Sequence, residues 1–194
     1  MNGTGDDNFG RRDYAAIVRA VRAIARGDRG SQGLAAEGQS GLGKRRSQER
    51  LHQAVVDALW EGLQITSVSW LGFYIEHHHP ERGHEMILGA RRDKPACSPI
   101  GMHGACGRCC TSQRPLIVSD VAALGAGYIA CDPRDRSEVV LPVFDDDGAC
   151  WGVLDLDSYA IGAFAQSDVH GLQAVLEAAG LTRQAEWAGR TDTV

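Results

Sequence analysis

The chain has 194 residues, enough for one domain with a substantial core and an appendage. Hydrophobic residues at 43% and charged residues at 23% are ordinary for a soluble globular protein and exclude a fibrous or wholly disordered chain. A net charge of -5 argues against nucleic acid as a default partner, and no apolar run approaches the roughly 18 residues of a membrane span.

Residues 1 to about 10 are polar and glycine-rich, and are expected to be disordered. Met1-Asn2-Gly3-Thr4-Gly5-Asp6-Asp7 lacks the basic-then-apolar layout of a secretory signal, so a cytoplasmic protein is expected. Tyr14, Ile17, Val18, Val21 and Ile24 recur at helical spacing, with Arg19, Arg22 and Arg26 between them. The spacing predicts an amphipathic helix from about Asp13 to Arg26, packing against the domain or a partner subunit; a homodimer is one such arrangement. Gly27 to Gly43 is rich in Gly, Ser and Gln and reads as a linker. A second helix is predicted from near Ser47, with Leu51, Val55, Ala58, Leu59 and Leu63 as its apolar stripe. This divides the chain into a helix-and-linker segment over 1–46, a folded domain over 47–187 and a tail over 188–194.

Ile65 to Ile75 is β-branched and aromatic, and predicts a buried strand. Glu76 to Gly83 reads as a hairpin turn and His84 to Ala90 as the return strand. Gly104 to Gln113 is a short helical candidate, and Leu116-Ile117-Val118 a short strand. Val139 to Phe144 and Ala149 to Asp157 form a second hairpin around the turn Asp145-Asp146-Asp147-Gly148. The last helix follows Ser167-Asp168, an N-cap pair, and carries Val169, Leu172, Val175, Leu176 and Ala179. Hairpins bracketed by helices predict an α+β fold with a central antiparallel sheet.

Six cysteines in a reducing compartment point to free, catalytic or metal-binding thiols rather than a disulfide framework. Cys150, between Ala149 and Trp151, reads as a small buried hydrophobe. Cys106-Gly107-Arg108-Cys109 has CxxC spacing, but no long strand or βαβ pattern surrounds it, which disfavours a thioredoxin-type centre. Cys97, His103, Cys106, Cys109 and Cys110 cluster in sequence, yet no second ligand pair follows at zinc-ribbon spacing, and no metal is expected. His77-His78-His79 reads as a solvated hairpin tip. The Gly-rich run Gly101 to Gly107 either sets Cys106 at a helix N-terminus, where the dipole lowers a thiol pKa, or is a plain tight turn.

The most informative stretch runs from Tyr128 through Cys131-Asp132 to Glu138, followed by Gly152-Val153-Leu154-Asp155-Leu156-Asp157-Ser158. Asp155 and Asp157 stand at i and i+2, so a strand projects both to one face. Two carboxylates on an otherwise apolar strand are costly unless something positive or protonated meets them. With a thiol and Glu138 beside them, the pattern points to redox chemistry on a small cationic ligand.

These residues carry a family resemblance. Ile129-Ala130-Cys131-Asp132 with Ser137-Glu138, the Gly152-to-Ser158 strand, Trp70-Leu71-Gly72-Phe73-Tyr74, Gly104-Ala105-Cys106-Gly107 and Ala96-Cys97 together resemble the GAF-domain family of free methionine-(R)-sulfoxide reductases, over about Leu51 to Leu181. The resemblance implies a GAF-like sheet and a thiol-dependent reductase needing no cofactor. It implies that Cys131 is the nucleophile, that Cys97 resolves it, and that Cys106 is a possible second thiol. Glu138, Asp155 and Asp157 would hold the substrate, free methionine sulfoxide, with Trp70 and Tyr74 as pocket aromatics and a thioredoxin-like dithiol as reductant. The Cys97-to-Cys106 segment departs from the family spelling, His103 stands where a basic residue is expected, and Cys109 and Cys110 are additions. Two other readings stand beside it: a non-catalytic GAF sensor for a small ligand, and a redox or zinc switch built on the extra cysteines.

Overall fold

The computed structural model describes residues 12–33, 41–92, 94–128, 131–182 and 190–194. The expectations for residues 1 to about 10, the middle of the linker, Ile129-Ala130 and the start of the tail lie outside the described residues.

Among the described residues, four α-helices and seven strands follow in chain order, with a 3-10 segment (Val121–Gly127) between the fourth and fifth strands. They are α1 (Tyr14–Gly33), α2 (Gly41–Leu63), β1 (Val68–His79), β2 (Gly83–Arg92), β3 (Ile100–Gly101), α3 (Ala105–Ser112), β4 (Leu116–Val118), β5 (Ser137–Phe144), β6 (Cys150–Ser158), α4 (Gln166–Ala179) and β7 (Asp192–Thr193). The sheet order is β3-β2-β1-β6-β5-β4-β7. Every pairing is antiparallel except that of β4 with β7. The α+β expectation therefore holds, with one parallel edge strand added by the tail.

Alternation along the strands sorts side chains onto two faces. Leu71, Phe73, Val139, Leu141, Val143, Leu154 and Leu156 join Val21, Val55, Leu59, Leu172 and Leu176 in the larger core, beneath α1, α2 and α4. Trp70, Tyr74, Val140 and Val153 face the other way, into a smaller cluster with Cys106, Cys109 and Cys110 of α3. The charged residues of the site share the parity of that second set. Gly152 lets β6 approach β1: a Cβ there would lie 2.4 Å from the Tyr74 carbonyl oxygen.

Three sequence expectations shift. The first helix runs through Gly27 to Gly33 and the second begins at Gly41, so much of the expected linker is helical. The propensity cost of a helical glycine, ~1 kcal/mol, is modest for a helix whose first turns are docked. Both strands of the first hairpin extend further than predicted, leaving only residues 80–82 in the turn. The last helix takes Ala165, not Ser167-Asp168, as its N-cap. Asp168 stands at N3 instead and accepts the Ala165 N–H at 2.8 Å, the reciprocal half of a capping box. It also pairs with Arg12 at 2.9 Å and accepts from the Tyr14 hydroxyl at 2.8 Å, which docks the start of α1 against α4.

Candidate active site

Sheet register assembles the site. Asp157 lies opposite Trp70 on β1 and opposite Glu138 on β5, while Asp155 lies opposite Gly72 and Val140. One oxygen from each of Glu138, Asp155 and Asp157 lies within 4.8 Å of the others. Like charges directly across a ladder repel, and burial adds to this. Glu138 and Asp155 are buried and Asp157 is half-buried. Burial, and then the neighbouring carboxylates, push all three carboxyls well above the ordinary range. Both effects favour the protonated form. A protonated member can donate to a reacting oxygen, and release of its proton leaves a carboxylate for a bound cation.

Trp70, Tyr74, Cys106, Cys131, Glu138, Asp155 and Asp157 line one narrow cavity of about 40 Å³. The sequence reading missed two further members of this wall, Tyr128 and Asp135. Asp135 is buried, accepts from the Ser69 hydroxyl at 3.0 Å and has its carboxyl raised, chiefly by burial. Both residues precede β5, where no periodic pattern marks which side chains turn inward. A larger groove of about 1410 Å³ lies beside α2 and the β5–β6 hairpin, against His52 and Trp151. Among the described residues no cysteine lines it; the thiols and the three carboxyls meet only in the smaller cavity.

Two buried carboxylate oxygens in this cavity, Glu138 Oε1 and Asp155 Oδ1, have no hydrogen-bond partner. A buried unpaired acceptor costs about 1–3 kcal/mol, more when charged, so both atoms point to a donor supplied by a ligand. The three carboxylates could hold a hard cation or an organic ammonium. The aromatic wall of Trp70 and Tyr74, with ring centroids 6.1 Å apart, suits an organic ligand.

The thiols occupy distinct settings. Cys131 is exposed as a residue, but its sulfur turns to the cavity mouth. It accepts the Cys97 backbone N–H at 3.3 Å and lies 3.9 Å from the Tyr74 hydroxyl. Partial burial and the adjoining Cys97 thiol push the Cys131 thiol up to about 12. Cys97 is exposed and outside the cavity lining, yet its thiol is within hydrogen-bond reach of Cys131. Tyr74 fixes that segment by donating to the Cys97 carbonyl at 2.9 Å. On the other side of Cys131, Asp132 receives Lys94 at 3.1 Å, Arg134 at 2.7 Å and the Tyr159 hydroxyl at 3.0 Å. This latch ties the Cys131-Asp132 segment to the Lys94 segment, whose carbonyl accepts from Trp70 Nε1 at 2.8 Å.

Cys106 does sit in the first turn of α3, behind the N-cap Gly104. Its thiol nonetheless faces the carboxylates and donates to Asp155 Oδ2 at 3.2 Å. Burial, Asp155 and Glu138 push its pKa well up, so the carboxylates outweigh the helix dipole. Gly107 is required here, because a Cβ would lie 2.2 Å from the Met102 Cα. Cys109 is buried and donates to the Val140 carbonyl at 3.5 Å. Among the described residues, Glu138, Asp155 and Asp157 alone form a group of three potential metal ligands, so the Cys106-to-Cys110 run does not gather into a zinc site. His77 and His78 pair across the first hairpin with Glu85 and His84.

Fold and site together define an α+β domain with two exposed cysteines, Cys97 and Cys131, set beside a cluster of three carboxyl groups. The chain belongs to the GAF-domain family, whose model matches residues 45–183. It is 35% identical over 118 residues to the free methionine-R-sulfoxide reductase of Saccharomyces cerevisiae, covering 59% of this chain and 64% of the relative. It is 34% identical over 112 residues to the Escherichia coli protein of the same name, covering 57% and 63%. The matches thus span just under two thirds of the length of these curated relatives. The solved free methionine-R-sulfoxide reductase of Neisseria meningitidis, in complex with its substrate, superposes with a TM-score of 0.65 at 25% identity, covering 91% of this chain and 96% of that one. Among the described residues, no helix is long and apolar enough to cross a membrane.

Proposed function

We propose that this chain reduces free L-methionine-(R)-sulfoxide to methionine. One observation carries the reading: two unpartnered, buried carboxylate oxygens share a cavity with the Cys131 sulfur, and Cys97 adjoins that sulfur. The names of the similar proteins support it.

The substrate α-ammonium meets the carboxylate cluster, and the methyl-sulfur end lies against Trp70 and Tyr74. Cys131 attacks the sulfoxide sulfur while a pocket carboxylic acid protonates the oxygen; the Cys131 proton restores that carboxyl group. A second proton from the cluster releases the substrate oxygen as water and leaves a Cys131–sulfonium bond. Water then attacks the Cys131 sulfur, the sulfur–sulfur bond breaks, methionine leaves, Cys131 holds a sulfenic acid and the water's proton returns to the cluster. The Cys97 thiol then attacks the sulfenic sulfur, water departs and a disulfide forms. A dithiol of the thioredoxin class returns both cysteines to thiols by exchange. Cys106, kept protonated against Asp155, acts as a donor to the cluster rather than as a nucleophile.

The contact between Cys97 and Cys131 favours this over a sensor without chemistry, which has no use for a resolving thiol. Reductant-free protein mixed with one equivalent of substrate is expected to yield a Cys97–Cys131 disulfide on peptide mapping. A Cys106–Cys131 disulfide in its place would transfer the resolving role to Cys106.

A further inference from the structure

The proposed reaction leaves Cys110 and Cys150 unused, and the fold brings them together from 40 residues apart. Their sulfurs lie 3.3 Å apart, in direct contact. Cys110 is on α3, in the turn after Cys106, and is 6% exposed. Cys150 opens β6 beside the β5–β6 turn, is half-buried, and also donates to the Gly152 carbonyl at 3.2 Å. Five residues of extended chain separate it from Asp155, roughly 16 Å at about 3.3 Å per residue. Cys150 therefore lies well away from the carboxylate cluster, while Cys110 stands one helical turn beyond Cys106 on α3.

We propose that Cys110 and Cys150 form a second dithiol–disulfide couple, separate from the pocket thiols and oxidised by hydroperoxides. Cys150, the more exposed residue of the two and placed beside a turn, is assigned the attack, and Cys110 on α3 resolves it. The charge balance agrees. Donation from Cys110 lowers the Cys150 thiol pKa, while the same bond and burial raise that of Cys110. The Cys150 thiolate attacks the terminal peroxide oxygen. The O–O bond breaks, leaving a sulfenic acid on Cys150, and the departing alkoxide takes a proton to become the alcohol, or water when the oxidant is hydrogen peroxide. The Cys110 thiol then attacks the sulfenic sulfur, the S–O bond breaks, water leaves and the S–S bond forms. Two thiols lose two electrons, and the hydroperoxide gains them. The bond ties α3, whose first turn carries Cys106, to β6, which carries Asp155 and Asp157. Closing a long loop, it is expected to raise resistance to unfolding.

The test uses the full chain with Cys97→Ser and Cys131→Ser, so that the pocket couple is removed. The reduced protein is treated with a few equivalents of hydrogen peroxide, alkylated, digested and mapped by mass. The expected product joins the segment holding Cys109 and Cys110 to that holding Cys150. The link persists in Cys109→Ala and is lost in Cys110→Ala and in Cys150→Ser. Oxidation is expected to raise the melting temperature by several degrees, reversibly with dithiothreitol, and Cys150→Ser, at a half-buried position, abolishes that rise. Cys150→Ser alone, in the otherwise native chain, is expected to keep wild-type sulfoxide turnover. A link that survives Cys110→Ala but not Cys109→Ala would overturn the proposal. So would sulfinic acid on Cys150 without a disulfide, and so would a tenfold loss of turnover in Cys150→Ser.

Discussion

Cys131→Ser is expected to reduce sulfoxide turnover by at least about a thousandfold, the scale of losing a covalent nucleophile. The fold should survive, because Cys131 is exposed and belongs to neither core cluster. Surface changes of this kind usually shift stability by no more than about 0.5 kcal/mol. Thermal unfolding of the variant checks this, and a steady-state assay with dithiothreitol checks the rate. Cys106→Ser is the informative control. A serine hydroxyl can replace the thiol as donor to Asp155, so that variant retains most of its turnover. A Cys131→Ser enzyme near the wild-type rate, beside an inactive Cys106→Ser, would move the nucleophile to Cys106.

N-acetyl-methionine sulfoxide, which lacks the cationic amine, is expected to react at least about a hundredfold more slowly than the free amino acid. Losing a partner from a buried charge pair costs about 2–5 kcal/mol, and about 1.4 kcal/mol is a factor of ten in rate. A peptide-bound residue is discriminated against for the same reason, since its amine is tied up in an amide. Asp157→Asn should weaken use of the free substrate far more than it disturbs folding. The raised Asp157 carboxyl means that the folded state holds a proton that the unfolded state releases. Its contribution to stability therefore declines as pH rises from the ordinary aspartate range, near 3.9, through the raised value. An amide needs no proton to be buried, so Asp157→Asn should raise the melting temperature at neutral pH by about 2–4 °C, the shift that ~1 kcal/mol makes in a chain of this size. The gain should vanish below pH about 4, where the wild-type carboxyl is protonated in both states. Equal turnover of free and acetylated sulfoxides would remove the ammonium from the account.

The features legible in the sequence were those set by strand periodicity. Asp155 and Asp157 had to share a face, and Trp70 and Tyr74 stand four residues apart on their own strand. Which face pointed where depended on register: that Asp157 lies between Trp70 and Glu138 is a property of the sheet. Asp135 and Tyr128 come from the irregular approach to β5, where no period tells inward from outward. Cys106 illustrates competing local rules. Its place in a helix's first turn suggested a reactive thiolate, but the facing strands supply carboxylates that hold the proton. Between Ala149 and Trp151 the sequence marks Cys150 only as a small buried hydrophobe, and the contact with Cys110 exists only once α3 lies across the sheet. Asp168 was visible as a helix-start signal, while its bonds to Arg12 and Tyr14 needed the N-terminal helix in place.

The thiol pair and the carboxylate cluster are expected to act together on one stereoisomer of a free amino acid. The most direct measurement is incubation of the chain with free L-methionine-(R,S)-sulfoxide and dithiothreitol, followed by chiral separation of the remaining sulfoxide. The (R)-isomer is expected to be consumed with stoichiometric appearance of methionine while the (S)-isomer persists. Equal consumption of both isomers, or no methionine from either, would contradict it.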